Sequence, residues 1–261
     1  MPKSGSNLVS KLFDIFGVPY GKVGIAPTLL LGDKYYLKQV ARRSFLERSP
    51  SIVGLDVQVP VRKAWLLRKL RSVSRDAYIT GHLNWTPVIQ KALDENNFKS
   101  VLVIRDPLDT LVSYCHYIGG SQEHFLHPYF RGLSLRDSVS LALEPGSLGN
   151  YDYLGFGHML DQISVWAGKS SVHVVKFEDI VGEAGGGSRG AQERALAELG
   201  AWVGLNFDQD IVEDQLFGGT KTFRQGKIGS ASLELDPELR AKAEDILQKY
   251  IYQLGYCKNN R

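Results

Sequence analysis

The first residues of the chain place a short turn of lysine, serine and glycine directly before an apolar-periodic segment. The turn reads Pro2-Lys3-Ser4-Gly5-Ser6-Asn7. The segment after it repeats apolar residues at the spacing of one helix face: Leu8, Val9, Leu12, Phe13 and Phe16. A turn that leads into a helix points backbone N–H groups and the positive end of the helix dipole at whatever lies above it. The sequence therefore predicts a phosphate site, to which Lys3 adds a cation.

A second anion site is predicted at the end of a buried strand. The apolar run 101–104 is followed by Arg105, which enters a helix. A guanidinium can bind phosphate through two parallel hydrogen bonds, and Ser113 adds a hydroxyl two helical turns later. The alternative for Arg105 is a salt bridge to Asp106 or Asp109. Two anion sites at strand ends indicate a ligand with two separated phosphates.

Short β-rich runs alternate with helical patterns, which is typical of a parallel α/β sheet. Strands are predicted near 27–31, 76–81, 100–104 and 171–176. Helices are predicted near 6–16, 60–72, 86–95, 107–117, 134–144, 152–167, 190–203 and 237–251. We expect one domain over residues 1–261, because a chain of this length can bury one sizeable core.

Composition excludes several classes of protein. No apolar run approaches the roughly 20 residues that span a bilayer, so stable membrane insertion is not expected. The net charge of +3 is too mild to indicate nucleic acid. Only two cysteines are present, which predicts neither a disulfide framework nor a zinc site and fits a reducing cytoplasm. His124 and His127 form a His-x-x-His pair, but a third ligand is not evident, so we do not predict a metal.

Three more segments extend the pattern set by 2–7 and 105–113. They read Thr80-Gly81-His82-Leu83, then Phe177-Glu178-Asp179-Ile180, then Phe223-Arg224-Gln225-Gly226-Lys227-Ile228-Gly229. In this order the five segments resemble the motifs of the sulfotransferase family, which uses 3′-phosphoadenosine 5′-phosphosulfate (PAPS). The resemblance covers nearly the whole chain. It implies a three-layer α/β/α fold with a central parallel sheet, similar to the P-loop NTPases.

The resemblance also implies a reaction and a set of site residues. A sulfuryl group would pass from PAPS to an acceptor hydroxyl, leaving adenosine 3′,5′-bisphosphate (PAP), and no metal would be required. His82 would be the general base, and Lys3 would assist the leaving phosphate oxygen. The 5′-phosphate would lie on the loop residues Lys3, Ser4, Gly5, Ser6 and Asn7. The 3′-phosphate would be held by Arg105, Ser113 and Arg224, with Gln225 and Gly226 closing the same pocket.

Some alternatives stay open at the level of sequence. The family has a strand before its first loop, and this chain begins at Met1, so either the given sequence starts late or the first strand is missing. The family often has Asp-Trp-Lys where this chain has Ser230-Ala231-Ser232. A kinase-like phosphotransferase and a catalytically silent nucleotide-binding protein are therefore the other readings. We expect the acceptor to be a small-molecule alcohol or phenol, or a carbohydrate, and the sequence does not predict an oligomeric state. We expect Glu178 and Asp179 to brace neighbouring loops.

Overall fold

A computed structural model describes residues 2–21, 23, 25, 51–149, 151–218 and 226–257. The chain divides into two units, each built from segments that are distant in sequence. Unit 1 contains Met1–Val18, Lys99–Tyr114 and Ile163–Arg261, and unit 2 contains Pro19–Phe98 and Cys115–Gln162.

Helices make up most of the regular structure. In chain order they are α1 (Ser6–Ile15), α2 (Lys63–Arg71), α3 (Pro87–Glu95), α4 (Pro107–Gly120), α5 (His127–Phe130), α6 (Leu135–Leu143), α7 (Gly155–Ala167), α8 (Phe177–Ile180), α9 (Arg189–Val203), α10 (Gln209–Gln215), α11 (Ser230–Glu234) and α12 (Pro237–Gln253). The strands are β1 (Ser51–Val53), β2 (Val59–Val61), β3 (Ser100–Ile104), β4 (Gly146–Leu148), β5 (Tyr151–Tyr153) and β6 (Val172–Lys176).

Unit 1 is organised around the parallel pair β3 and β6. The register runs from Ser100 opposite Val172 to Ile104 opposite Lys176. The apolar face predicted for α1 is buried here, because Leu8, Val9 and Leu12 lie in one apolar cluster with residues of β3, β6, α8 and α9. β3 leads through Arg105 and Asp106 into α4, and β6 leads directly into α8. The carboxyl ends of parallel strands lie at one edge, so the starts of α4 and α8 lie side by side.

Unit 2 contains two short antiparallel pairs, β1 with β2 and β4 with β5. An isolated bridge joins Val57 to Tyr153. The strand predicted at 76–81 is wrong in extent: the described residues there make two separate parallel bridges, from Tyr78 to Tyr20 and from Gly81 to Ile25. The strand predicted at 27–31 lies outside the described residues.

Most helix predictions are confirmed to within a few residues, with two differences at amino ends. Residues 60 and 61 belong to β2, so α2 begins at Lys63 rather than near 60. Residues 152 and 153 belong to β5, so α7 begins at Gly155. Within the described part of the chain, the model contains no helix with the length and apolar character to cross a membrane.

Candidate functional site

The loop that precedes α1 has an unusual backbone in unit 1. Lys3 has φ +65° and Gly5 has φ +106°, so two of its residues are left-handed. A left-handed lysine costs roughly 1–2 kcal/mol, and such strain clusters where a loop binds a ligand. The Ser4 side chain is fully buried, and its hydroxyl donates to the Val103 carbonyl at 2.8 Å. This bond ties the loop to β3.

Gly5 begins α1 and lies against an aromatic ring. Its carbonyl accepts hydrogen bonds from the N–H groups of Leu8 and Val9. A Cβ at this position would lie 2.7 Å from Cδ2 of Phe177, which no real Cβ tolerates. The first turn of α1 contains no acidic residue. The positive end of the helix dipole is therefore not offset by a carboxylate on the helix itself, and the loop suits an anion.

Arg105 follows β3 and is almost completely buried. The centre of its guanidinium lies 4.5 Å from the centroid of the Phe177 ring, the same ring that Gly5 faces. Its Nη2 donates to the Lys227 carbonyl at 2.7 Å and lies 3.5 Å from Asp109 Oδ2. Its Nε is buried and has no hydrogen-bond partner among the residues described. A buried cationic N–H without a partner is costly, which fits a position that receives an anionic ligand.

Asp109 joins Arg105 to the start of α11. Its buried carboxylate accepts from Gly229 N at 2.7 Å, from Ala231 N at 2.8 Å and from the Ser230 hydroxyl at 3.2 Å. The ion pair with Asp109 was one alternative for Arg105 at the level of sequence, and it is present. The role of Asp109 in capping α11 was not predicted. The only signal was an acid four residues after Arg105 on a predicted helix.

Glu178 braces the turn that carries Arg105, as predicted. Its Oε1 accepts from the Asp106 N–H at 2.9 Å, and its Oε2 accepts from the Tyr256 hydroxyl at 2.7 Å. Burial raises the pKa of both Glu178 and Asp106 above their ordinary values. Asp106 in turn caps α4 by accepting from the N–H groups of Leu108 and Asp109. Tyr256 was not identified from the sequence, since it belongs to none of the five motifs.

The other residues predicted to bind phosphate lie on several elements or outside the described residues. Ser6 and Asn7 form the first turn of α1. Ser113 lies on α4 and is partly buried. Gly226 is described, with φ +61°, one residue before Lys227. Arg224 and Gln225 lie outside the described residues. Unit 1 thus brings together the loop 2–7, Arg105 and the segment 226–231, and two of these three meet at Phe177.

His82 lies in unit 2, in the segment that bridges to Ile25. Its N–H donates to the Ile25 carbonyl at 2.8 Å, and its carbonyl accepts from the Gly54 N–H at 2.9 Å. These bonds fix the backbone on both sides of the residue. Desolvation of the imidazole by burial lowers the pKa of His82 from 6.5 to about 3. The imidazole is therefore neutral at neutral pH and has a lone pair that can accept a proton.

The segment 118–133 is rich in aromatic residues and belongs to unit 2. His124 is buried, stacks on Phe125 at 4.6 Å between centroids, and accepts from the Leu126 N–H. Phe125 also packs against Tyr151, and Phe130 is buried. His127 lies 2.9 Å from the Ile118 carbonyl. Across the described residues, no group of histidine, cysteine or acidic side chains is arranged to hold a metal ion.

Comparison with known proteins identifies the family and supports the fold. A family model described as the sulfotransferase domain matches residues 1–185. The crystal structure of mouse sulfotransferase SULT7A1 complexed with PAP matches with a TM-score of 0.60 at 13% sequence identity, covering 98% of this chain and 85% of that one. No curated protein sequence matches. The structural likeness confirms the α/β fold predicted from the sequence, with its parallel strand pair.

Proposed function

The chain belongs to the sulfotransferase family, and from this membership we propose that it transfers the sulfuryl group of PAPS to a hydroxyl of a small-molecule or carbohydrate acceptor. The observation that carries the proposal is the shared contact at Phe177. A helix-start loop with a glycine against this ring and a buried arginine over its face lie in one unit. Two adjacent anion-binding groups suit a nucleotide with phosphates on both its 3′ and 5′ sides.

The 5′-phosphate of the cosubstrate is assigned to the loop of Lys3, Ser4, Gly5, Ser6 and Asn7. Backbone N–H groups at the start of α1 suit phosphate oxygens, and Gly5 leaves no side chain between the phosphate and the loop. The 3′-phosphate is assigned to Arg105, whose buried Nε lacks a partner within the described part of the chain. Ser113, Gly226, Arg224 and Gln225 complete that second pocket in the proposal.

The reaction requires one bond to form as another breaks. The acceptor oxygen bonds to sulfur while the bridging S–O bond to the 5′-phosphate breaks, and the electron pair stays on the leaving phosphate. Lys3 is proposed to stabilise the negative charge that develops on that bridging oxygen. The hydroxyl proton passes to the imidazole of His82, which is neutral and can accept it.

A base with a pKa of about 3 accepts a proton less readily than one near neutrality. A bound anionic cosubstrate favours the charged imidazolium and raises the pKa of a nearby histidine. The proposal therefore expects the apparent pKa of the catalytic base to be higher in the profile of kcat, which reports the bound state, than in the profile of kcat/KM. Replacement of His82 by alanine should remove turnover and leave PAP binding in place.

The proposed acceptor class is supported by residues that follow His82 in the sequence of unit 2. Asn84 is buried, and its Oδ1 has no hydrogen-bond partner in the described chain. A hydroxyl donor on the acceptor would satisfy this oxygen. Trp85 is partly buried and adds apolar surface beside it. An alcohol, phenol or sugar supplies both a hydroxyl and an apolar face.

Calorimetric titration with PAP, with ATP as the comparison, tests the proposal. We expect micromolar binding of PAP, little binding of ATP, and at least a tenfold loss of PAP affinity on Arg105→Ala, since a bidentate charged contact is lost. The matched control is Arg240→Ala, which removes a surface arginine paired with Glu244 in the same unit. ATP binding as strong as that of PAP would favour a kinase-like function. PAP binding by the natural chain without turnover would favour a silent nucleotide-binding protein.

A further inference from the structure

Tyr256 lies next to the nucleotide site but belongs to none of the motifs that identify it. Its hydroxyl donates to Glu178 Oε2 at 2.7 Å, and the other oxygen of that carboxylate accepts from the Asp106 N–H at 2.9 Å. The Asp106 N–H is part of the peptide bond that joins Asp106 to Arg105. Two hydrogen bonds thus connect the tyrosine to the backbone of the arginine that is assigned to the 3′-phosphate.

The tail that carries Tyr256 is held in a defined conformation. Helix α12 ends at Gln253, and Gly255 takes φ +72°, which reverses the chain. The Tyr256 N–H donates to the Ile251 carbonyl at 2.8 Å. Lys176 Nζ donates to the Gly255 carbonyl at 3.0 Å and lies 4.8 Å from the centroid of the Tyr256 ring. The phenol therefore reaches Glu178 from a fixed helix end.

Two of the contacts that hold Arg105 involve neighbours of these hydrogen bonds. Phe177, the residue before Glu178, lies under its guanidinium. Asp109, which contacts Arg105 Nη2, lies in the first turn of α4, which Asp106 caps. A shift of Glu178 would move the peptide bond between Arg105 and Asp106, and it would also move the Phe177 ring that lies beneath the guanidinium.

We propose that Tyr256 is a positioning residue for the 3′-phosphate, acting through Glu178 on the turn that carries Arg105. The inference rests on the proposed function, since it takes Arg105 to bind that phosphate. Burial and the charge of Glu178 raise the pKa of Tyr256, so its hydroxyl stays protonated and remains the donor. The hydrogen bond from Tyr256 helps to keep Glu178 ionised against the burial that raises its pKa. Without the hydroxyl, a half-buried carboxylate oxygen loses its donor.

The test compares two nucleotides on matched variants. Affinities for PAP and for adenosine 5′-monophosphate, which lacks the 3′-phosphate, are measured by calorimetry on the natural chain, on Tyr256→Phe and on Tyr252→Phe. We expect Tyr256→Phe to weaken PAP about fivefold and to leave the monophosphate within about twofold, since only the 3′-phosphate contact is disturbed. Tyr252 is mostly exposed on α12, and its substitution should change neither affinity.

A double-mutant cycle with Arg105 isolates the coupling. On an Arg105→Ala background, Tyr256→Phe should not weaken PAP further, because the group that it positions is gone. Equal losses for both nucleotides, or an undiminished effect on the Arg105→Ala background, would overturn the inference and leave Tyr256 a residue of stability alone.

Two further outcomes separate this inference from the proposed function. If the natural chain fails to bind PAP, both are rejected. If Arg105→Ala weakens PAP and Tyr256→Phe does not, only the positioning role is rejected. The affinities for PAP and for adenosine 5′-monophosphate are compared within each variant. A variant with a lower Tm is therefore judged by the ratio of these two affinities and not by its stability.

Discussion

Gly5 has a left-handed backbone and lies against the ring of Phe177. Substitution of this one residue therefore tests whether the loop depends on that contact. A methyl group at this position meets Phe177 Cδ2 at 2.7 Å and forces either the loop or the ring to move. We expect Gly5→Ala to lower the free energy of unfolding by about 1–3 kcal/mol and to weaken PAP binding more than tenfold, because the phosphate loop is displaced from Arg105. Thermal unfolding and calorimetry measure the two effects.

Gly17 is the matched control for this substitution. It also has a left-handed backbone, with φ +74°, but a Cβ there meets nothing within 4 Å. Gly17→Ala therefore adds the backbone strain without the contact, and it should destabilise the chain modestly while PAP affinity is kept. An equal loss of PAP affinity in the two variants would mean that the close approach at Phe177 is not what shapes the loop.

His124 makes unit 2 sensitive to acid. Burial lowers the pKa of His124 from 6.5 to about 4, so the unfolded chain binds a proton between these values that the folded chain does not. The contribution of His124 to the free energy of unfolding should therefore fall as pH drops from about 6.5 toward 4, by at most about 2 kcal/mol between pH 6.5 and 5. Urea denaturation of the natural chain and of His124→Gln, at pH 7 and pH 5, measures the difference.

The groups around His124 give the direction of this effect. Asp56 Oδ2 lies 3.9 Å from its Nε2 and favours the protonated ring, while burial and His127 favour the neutral ring. Comparing the pH dependence of the two chains cancels the titration of every other group. His158→Gln, which removes a histidine that lies 3.3 Å from the amide nitrogen of Gln58, is the control. A variant at His124 with the slope of the natural chain would contradict the buried neutral state.

Helix α11 depends on a carboxylate from another element, which makes the link between α4 and α11 testable. Asp109→Ala would leave the N–H groups of Gly229 and Ala231 without their acceptor and leave the buried Arg105 without its carboxylate. We expect a loss of about 3–5 kcal/mol in the free energy of unfolding, the cost of breaking a buried pair. PAP affinity should also fall, since Arg105 and the segment 226–231 separate. Urea denaturation and calorimetry report the two losses.

An ordinary cap provides the comparison for Asp109. Asp208 is exposed and caps α10 by accepting from the N–H groups of Asp210 and Ile211. Asp208→Ala should cost about 1 kcal/mol and leave PAP affinity unchanged. If Asp109→Ala cost no more than this surface cap, the carboxylate would be a helix cap alone and not a support for Arg105.

The accuracy of the sequence predictions differs between kinds of element. Helices such as α3, α9 and α12 carry an apolar face over several turns and a capping residue, so their bounds were found closely. The strands of unit 2 have three residues each, too few to show alternation, and their pairing is set by partners distant in the chain. The segment 76–81 shows this, because its β-rich composition did not specify how much of it would pair.

The residues of the candidate site show the same difference between local patterns and distant contacts. The loop 2–7, His82 and Arg105 could be proposed from the sequence because each lies in a contiguous motif with its own chemistry. Asp109 and Tyr256 act through contacts that join residues 120 and 78 positions apart, and no local pattern reports such a contact. The roles of all these site residues, with those of Ser113, Arg224, Gln225 and Gly226, stay predictions. Tertiary hydrogen bonds, unlike motifs, became visible only with the fold.

Unit 1 is assembled from three stretches of sequence, and the proposed nucleotide site draws on all of them. The loop 2–7 comes from the first, Arg105 from the second, and Phe177, Tyr256 and the segment 226–231 from the third. A ligand that binds only the folded arrangement stabilises it by about 2.7 kcal/mol at a concentration of 100 times its dissociation constant. That stabilisation should appear in every stretch that contacts the ligand.

Hydrogen exchange followed by mass spectrometry tests this assembly directly. With saturating PAP we expect slower exchange in peptides that cover 3–9, 104–109 and 226–231, because opening any of them must first release the nucleotide. Exposed peptides of α12 near Tyr252 serve as the internal reference and should not change. Protection confined to 3–9 would mean that the loop alone binds phosphate and that Arg105 has another role. Protection of all three segments by PAP, and of 3–9 alone by adenosine 5′-monophosphate, would assign each phosphate to its own part of the unit.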